Sequence, residues 1–197
     1  LRLLRGVPAL PASATGLSVP VGAPIARFTL VARAPGLNGE PVGSGLLVAP
    51  AEHAASYEAP CPARAKALSH LSAKWPWIGA ELRALHGPDV HALRLSYGRP
   101  GRPRPEVDLS VALADVAVLT GVRIEPEAVI DHMLVRWDGT LPPVTPAHRE
   151  RTTHLEEQLA PVPGLEVTGA WVAGTGIAAV VGHARAAAAR LGSSHGE

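Results

Sequence analysis

The spacing of hydrophobic and polar residues predicts both strands and helices along the chain. Residues 25–33 (IARFTLVAR) are rich in branched side chains and predict a strand that ends at a Pro-Gly turn at 35–36. A second apolar run at 46–48 follows a Gly-Ser-Gly turn, and we expect it to pair with the first strand as an antiparallel neighbour. Residues 78–86 carry apolar side chains at helical spacing, which fits either a short helix or the edge of a hairpin.

A helix is indicated most clearly just after the middle of the chain. Leu109, Leu113 and Val116 recur at helical spacing. Asp108 stands at the N-cap position and Gly121 lies just past the last turn, so both ends of the helix carry the expected signals. The other predicted elements are strands at 91–97, 130–137 and 165–172, a helix at 146–159 that follows Thr145, and a helix at 177–191.

The predicted C-terminal helix has an apolar face and is preceded by a glycine turn. A helix leaves its first N–H groups unpaired and carries partial positive charge there, and glycines without Cβ let a ligand approach closely. The turn is Ala173-Gly174-Thr175-Gly176, and the apolar face is predicted to consist of Ile177, Val180, Val181, Ala184, Ala188 and Leu191.

Residues 174–179 satisfy G-x-G-x-x-A, a variant of the dinucleotide-binding fingerprint. The fingerprint normally continues into a second parallel strand with an acidic residue that binds a ribose, and only 18 residues follow Ala179. We therefore do not expect an autonomous dinucleotide site. Without further information, a glycine turn that joins a strand to a closely packed helix is the simplest interpretation.

Composition narrows the class of protein. The 197 residues include 18 Lys+Arg and 17 Asp+Glu, for a net charge of +1, with 47% hydrophobic and 18% charged residues. These values favour a packed globular chain and argue against disorder and against a nucleic-acid partner. The single cysteine excludes an internal disulfide and a zinc site with two or more thiolates. No apolar run is long and uninterrupted enough to predict a transmembrane helix.

No catalytic or metal-binding cluster stands out. The nine histidines form no pair that shares a helical face, so no metal site is predicted. Cys61 lies between prolines with no histidine nearby in sequence, and Ser44 lacks the G-x-S-x-G context of a hydrolase. Catalytic residues therefore remain unknown from the sequence.

Four short segments occur in a characteristic order. They are Gly43-Ser44-Gly45-Leu46-Leu47-Val48-Ala49-Pro50; Ser72-Ala73-Lys74-Trp75; Arg136-Trp137 with Leu141-Pro142 and His148; and Gly169-Ala170 with Gly174-Thr175-Gly176-Ile177. In this order they resemble the C-terminal half of the oxygen-dependent protoporphyrinogen or coproporphyrinogen oxidases, which are FAD enzymes of the amine-oxidase-like superfamily. The resemblance runs from about residue 17 to the end of the chain.

The resemblance implies an α/β fold with mixed α+β content. It consists of part of a Rossmann-type FAD-binding domain and a substrate domain built on a mixed sheet, without the N-terminal dinucleotide-binding unit. Residues 1–135 would belong mostly to the substrate domain and residues 136–197 to the C-terminal part of the FAD domain. By the same resemblance, the flavin would be contacted by Trp137 and by the loop of Gly174, Thr175, Gly176 and Ile177.

The activity implied is oxidation of a porphyrinogen to a porphyrin in haem biosynthesis, with FAD as cofactor and oxygen as electron acceptor. Arg94, Arg99 and Arg136 are candidates to pair with substrate propionates. The local pattern departs from the family at Pro143-Val144 and Ala147, which stand where the family usually has Gln-Tyr and Gly. It also departs in the last helix, where Val180-Val181 replaces the common Cys-Ile.

Because the sequence starts at Leu1 and lacks an N-terminal G-x-G-x-x-G unit, we expect a fragment whose partner is the missing N-terminal half. The fragment alone would be inactive and would bind FAD weakly or not at all. A cytoplasmic location is expected, with peripheral membrane association left open. The alternatives are an amine oxidase or carotenoid desaturase of the same superfamily, or an inactive fragment that acts only as a binding module.

Overall fold

The computed structural model describes residues 22–50, 61–99, 101–103, 106–140 and 145–193. Residue contacts divide the chain into two compact units. The sheet unit is Pro24–Asp138, and the helical unit combines Leu1–Ala23 with Gly139–Glu197. The fold is α/β, with strands confined to one sheet in the described residues.

The sheet has five strands in the order β2-β3-β4-β1-β5. The ladders β1–β4, β2–β3 and β3–β4 are antiparallel. The strands are β1 (Ala23–Arg33), β2 (Gly45–Leu47), β3 (Ala67–His70), β4 (Val90–Tyr97) and β5 (Val129–Thr140). The helices of this unit are α1 (Leu71–Lys74), α2 (Pro76–His86) and α3 (Leu109–Thr120), with 3-10 turns at Pro35–Leu37 and Pro126–Ala128.

One predicted strand pairing is wrong. The apolar run at 46–48 does form a strand, but β2 pairs with β3, and β1 lies between β4 and β5. The partner of a strand is decided by contacts across the whole sheet. Here one edge of β1 is occupied by β4, which pairs with it at eight positions. The four-residue β3 was not predicted because it is too short to show alternation.

The core of the sheet unit lies on one face of the sheet. Phe28 and Leu30 of β1 are paired with Leu95 and Leu93 of β4, and all four side chains are buried. Val116 of α3 is fully buried against the same cluster. Each Å² of apolar surface removed from water contributes about 25 cal/mol, so burial of this cluster stabilises the unit.

The helix predicted around 109–119 is confirmed, together with both of its caps. Asp108 accepts a hydrogen bond from Val111 N at 2.9 Å, which satisfies a free donor of the first turn. Gly121 adopts a left-handed conformation with φ of +72°, which a residue with a Cβ adopts only with strain. The uncertain segment at 78–86 is helical and forms most of α2.

The helical unit contains α4 (Pro146–Leu159), the single-turn helix α5 (Ala170–Ala173) and α6 (Ile177–Ser193). Thr145 caps α4 by accepting from His148 N at 3.2 Å, as predicted. A small core forms where Leu155 and Leu159 of α4 pack against partly buried apolar side chains, which are Leu165, Val167 and Trp171. Among the described helices, none is both long and apolar enough to cross a membrane.

The predicted strand at 165–172 is wrong. Residues 165–168 have no regular structure, and 170–173 form α5. An isolated strand is not stable without a neighbour to pair with, and the described residues of this unit offer none.

The apolar face of α6 is also only partly as predicted. Val180, Ala184 and Leu191 are partly buried, but Ile177 and Val181 are 86% and 48% exposed. Ala188 is exposed as well, and the buried alanine is its neighbour Ala187. The inward-facing side of the helix is therefore rotated from the predicted one.

Candidate functional site

Two arginines lie on the sheet face that points away from the core. Phe28 of β1 and Leu95 of β4 face each other on the core side. Successive residues of a strand point to opposite faces, so Arg27 and Arg94 share the other face. Arg27 is paired with Ser96, which lies two residues beyond Arg94, so the two arginines are diagonal neighbours across the ladder.

Two further cations complete what we call the basic cluster, which consists of Arg27, Lys66, Arg94 and Arg99. Burial lowers the pKa of Lys66, and the positive charges of Arg99 and Arg27 lower it further. Burial, followed by the charge of Arg27, likewise lowers the pKa of Arg94. Arg27 and Arg99 thus lie close enough to Lys66 to disfavour its charged form, and Arg27 lies close enough to Arg94 to do the same there.

The basic cluster has no acidic counterpart in the described part of the chain. None of the ion pairs recorded there involves any of its four members. Arg99 donates to the carbonyl of Val48 at 2.7 Å, and Arg94 has a buried Nε without a hydrogen-bond partner. A buried cationic donor left unpaired is costly, and an anionic ligand would relieve both the unmet hydrogen bond and the repulsion.

Trp137 lies beside this cluster, on the last strand of the sheet. His132 stacks on Phe28 with 5.3 Å between ring centroids, which places His132 on the core side of β5. Alternation along β5 then places Met133 and Trp137 on the face of Arg27. Trp137 is 41% exposed, and the guanidinium carbon of Arg27 lies 5.6 Å from its ring centroid, within the range of a cation–π contact.

The third arginine that the sequence suggested forms an ion pair outside the basic cluster. Arg136 lies 3.6 Å from Glu106, and their side chains are 39% and 87% exposed. Arg94 and Arg99 do belong to the basic cluster. Sequence reasoning missed Arg27 and Lys66, although the alternation of β1 and β4 could have placed Arg27 and Arg94 on one face.

The four predicted loop residues of the helical unit form one continuous surface. Gly174 has φ of +94°, a conformation that favours glycine, and no atom lies within 4 Å of the Cβ position of Gly174 or Gly176. Thr175 is exposed, as is Ile177, the first residue of α6. The first bond along this helix runs from Val180 N to the carbonyl of Gly176 at 2.9 Å, so the preceding N–H groups lie in the unpaired first turn.

The glycine turn offers open space to a ligand but lacks the full unit of an FAD site. The open space at both glycines and the unpaired first turn leave room for an electron-rich ring edge. A dinucleotide site also requires a strand that leads into the glycine turn, and here α5 precedes it. Trp137 belongs to the sheet unit and the glycine loop to the helical unit, and the flavin contacts expected of all five residues remain predictions.

A cavity of about 470 Å³ also lies in the helical unit, between the end of α4, the following loop and α6. Its acidic side chains are engaged in pairs. Glu166 and Arg190 form a bidentate ion pair at 2.6 and 2.8 Å, and Glu156 pairs with His183 at 2.7 Å. These contacts connect α6 to the 165–168 loop and to α4.

Comparison with known proteins finds similarity to solved structures. No family model matches the chain, and no curated protein matches it. The fold is similar to the crystal structure of a "putative protoporphyrinogen oxidase" from Exiguobacterium sp. 255-15, with a TM-score of 0.62 and 22% sequence identity. The match covers 94% of this chain and 37% of that one, so the chain spans little more than a third of the length of its structural neighbour. At this identity the likeness shows a shared fold.

Proposed function

We propose that this chain is part of an FAD-dependent oxidoreductase that oxidises a porphyrinogen. The observation that supports this best is the basic cluster, four cations without an acidic partner in the described residues, beside the half-exposed ring of Trp137. A tetrapyrrole that carries propionates is a broad ring with carboxylates at its rim. It therefore needs the combination of aromatic surface and unpaired cations that this sheet face offers.

Each group on this face would have a defined role. Arg94 would bind a carboxylate through the Nε that is now buried without a partner, in the bidentate geometry that a guanidinium allows. Arg27 would bind a second carboxylate or hold the ring of Trp137 in place. Partial burial of Lys66 and Arg94 strengthens each charge interaction, because less water screens it.

The helical unit would supply one edge of the flavin site. Gly174, Thr175, Gly176 and Ile177 would hold the flavin ring through the backbone at the start of α6. When bound, FAD would supply the redox chemistry by accepting hydride from the substrate and passing electrons to oxygen. The pyrophosphate-binding part would come from the remainder of a longer enzyme.

The charge of the site favours a porphyrinogen over the other substrates of the superfamily. A carotenoid is an uncharged hydrocarbon, so it has no anionic group for the four cations to bind. A protonated amine would be repelled by them. A polycarboxylate is the substrate that this face attracts.

The proposal is tested by titrating the purified chain with coproporphyrin and protoporphyrin and following porphyrin fluorescence. We expect saturable binding that weakens as ionic strength rises, since exposed charge interactions are screened. Arg94→Gln should weaken binding by about 10- to 100-fold, the effect of losing a charged hydrogen bond worth about 1.5–3 kcal/mol. Arg151→Gln, at an exposed position of α4, is the matched control and should bind as the parent does. Equal affinity of the Arg94 variant, or no saturable binding by the folded chain, would contradict the proposal.

A further inference from the structure

A chain of hydrogen bonds runs from the surface of the sheet unit to a buried histidine. Asn38 donates from Nδ2 to the carboxylate of Asp89 at 2.7 Å. Its amide oxygen lies 3.0 Å from Nε2 of His91, and Nδ1 of His91 lies 3.0 Å from Nε2 of His70. His70 is 1% exposed, and its remaining nitrogen, Nδ1, is buried without a partner. Neither the basic cluster nor the glycine loop uses these residues.

The donor and the acceptor of every hydrogen bond in this network follow from the carboxylate of Asp89 at its outer end. A carboxylate accepts, so Asn38 directs its NH2 group to Asp89 and its oxygen to His91. An amide oxygen also accepts, so Nε2 of His91 carries the proton and its Nδ1 does not. Nδ1 of His91 must then accept from Nε2–H of His70. Both imidazoles are neutral in this arrangement, and Nδ1 of His70 is a bare lone pair.

Adding a proton to the pair leads to one outcome, whichever ring receives it. Nε2 of His91 must keep its proton to donate to Asn38, and one proton must lie between the two rings. The third proton is therefore placed on Nδ1 of His70. That N–H would be buried and would have no acceptor among the described residues.

The network connects the 34–44 segment to the sheet. Ala34 N donates to the carbonyl of Asp89 at 2.8 Å, and His70 N donates to the carbonyl of Ser44 at 3.1 Å. Asn38, near the middle of the segment, is joined to both Asp89 and His91. The segment then leads directly into β2, the strand at the end of the sheet.

We propose that Asp89, Asn38, His91 and His70 form an acid-sensitive lock, in which two neutral imidazoles hold the 34–44 segment against the sheet and proton uptake releases it. The lock is closed while both rings are neutral. It opens when the pair is protonated, because the only position left for the proton is one where the folded chain offers no acceptor.

The charges around the two rings support this direction. Burial is the largest influence and lowers the pKa of both His70 and His91. The charges of His70 and of Arg83 on α2 lower the pKa of His91 further, whereas the carboxylates of Asp89 and Glu40 act to raise it. Glu40, on the 34–44 segment, also acts to raise the pKa of His70. Burial outweighs the two carboxylates, so the folded state resists protonation.

The sign of the pH effect follows from linkage. Each histidine titrates near 6.5 when unfolded and lower when folded, so below about pH 6.5 the unfolded chain binds more protons. The stability contributed by the neutral pair is complete above that pH. It is lost as the pH falls from 6.5 toward the lowered values of the folded state.

Two measurements on the whole chain test the lock. Nitrogen-15 NMR of the imidazoles at neutral pH should show both rings protonated at Nε2 and bare at Nδ1. Amides of the 34–44 segment, corrected for intrinsic exchange, should lose hydrogen-exchange protection as the pH falls from 7.5 to 5. Protonation of His70 at Nδ1 at neutral pH, or an ordinary titration of either ring near 6.5, would overturn the proposal.

Variants separate the lock from general acid sensitivity. His70→Leu removes the buried nitrogen and should abolish the additional loss of protection at pH 5. If that variant does not fold, Asn38→Ala removes the outer anchor and should lower the protection of the segment already at pH 7.5. His154→Gln, at an exposed histidine of α4, is the matched control and should behave as the parent. Unchanged pH dependence in a folded His70→Leu variant would contradict the lock.

Discussion

At the scale of single residues, polar groups inside the sheet unit hold the chain where no regular element does. Asp115 is 4% exposed within α3, and its two carboxylate oxygens accept from Arg64 N and Ala65 N at 2.9 Å each. Burial raises the pKa of Tyr97 above its usual value, and the negative charge of Asp115 raises it further. One carboxylate thus joins a helix to the segment that precedes β3.

Replacing this carboxylate should cost more stability than most single substitutions. Asp115→Ala leaves two backbone donors without their charged acceptor, and we expect unfolding to become easier by about 3 kcal/mol in urea denaturation. Asp131→Ala, at an exposed aspartate of β5, is the control and should change stability by less than about 0.5 kcal/mol. Equal midpoints for the two variants would show that Asp115 does not hold the 64–65 segment.

At this scale, sequence reasoning can use only signals that are local in the chain. Arg94 and Arg99 could be proposed because basic residues are visible one at a time. The contact of His70 with His91 could not, since the two residues are 21 positions apart and meet only when β3 pairs with β4. Lys66 precedes a strand too short to be predicted, so its place in the basic cluster was also hidden.

At the scale of elements, the helices with clear caps were predicted correctly, whereas the one predicted strand pairing was wrong. The ends of α3 follow from Asp108 and Gly121, which act within a few residues of themselves. The partner of β2 depends on the whole sheet, and a four-residue strand at 67–70 takes the place that β1 was expected to fill. The apolar stretch at 165–172 has the composition of a strand but no described neighbour to pair with.

The cap of α3 gives a measurable test at this scale. Asp108→Ala removes the acceptor for Val111 N and should lower the free energy of unfolding by about 1 kcal/mol. The hydrogen bonds of Asp108 lower its pKa, so this contribution is present above the unfolded value near 3.8 and is lost as the pH falls below it. Asp108→Asn, which keeps a capping oxygen, should recover most of the loss. Equal destabilisation by both substitutions would argue against the capping role.

At the scale of the whole molecule, the chain carries two compact units and spans 37% of its structural neighbour. The predicted α/β fold is confirmed. Assignment of the units to substrate and flavin remains a prediction, because it depends on the ligands that each unit binds.

We expect that this chain alone does not retain FAD. Purified chain mixed with FAD and separated by gel filtration should elute without flavin absorbance. The described residues contain no strand that leads through a short glycine turn into a helix, which is the unit that binds the pyrophosphate. Under the proposed function, a longer form of the chain that includes a dinucleotide-binding unit should retain the flavin. A stoichiometric yellow complex of the shorter chain would contradict the expectation.

The position of β1 has a consequence for how the protein is made. It is the first of the described strands in the sequence, yet it lies between β4 and β5, which are synthesised later. The ladder between β1 and β4 pairs Ala26 with Tyr97, so it can form only after β4 has been synthesised. Such distant pairings slow folding and leave an apolar strand exposed during synthesis until the rest of the sheet has been made.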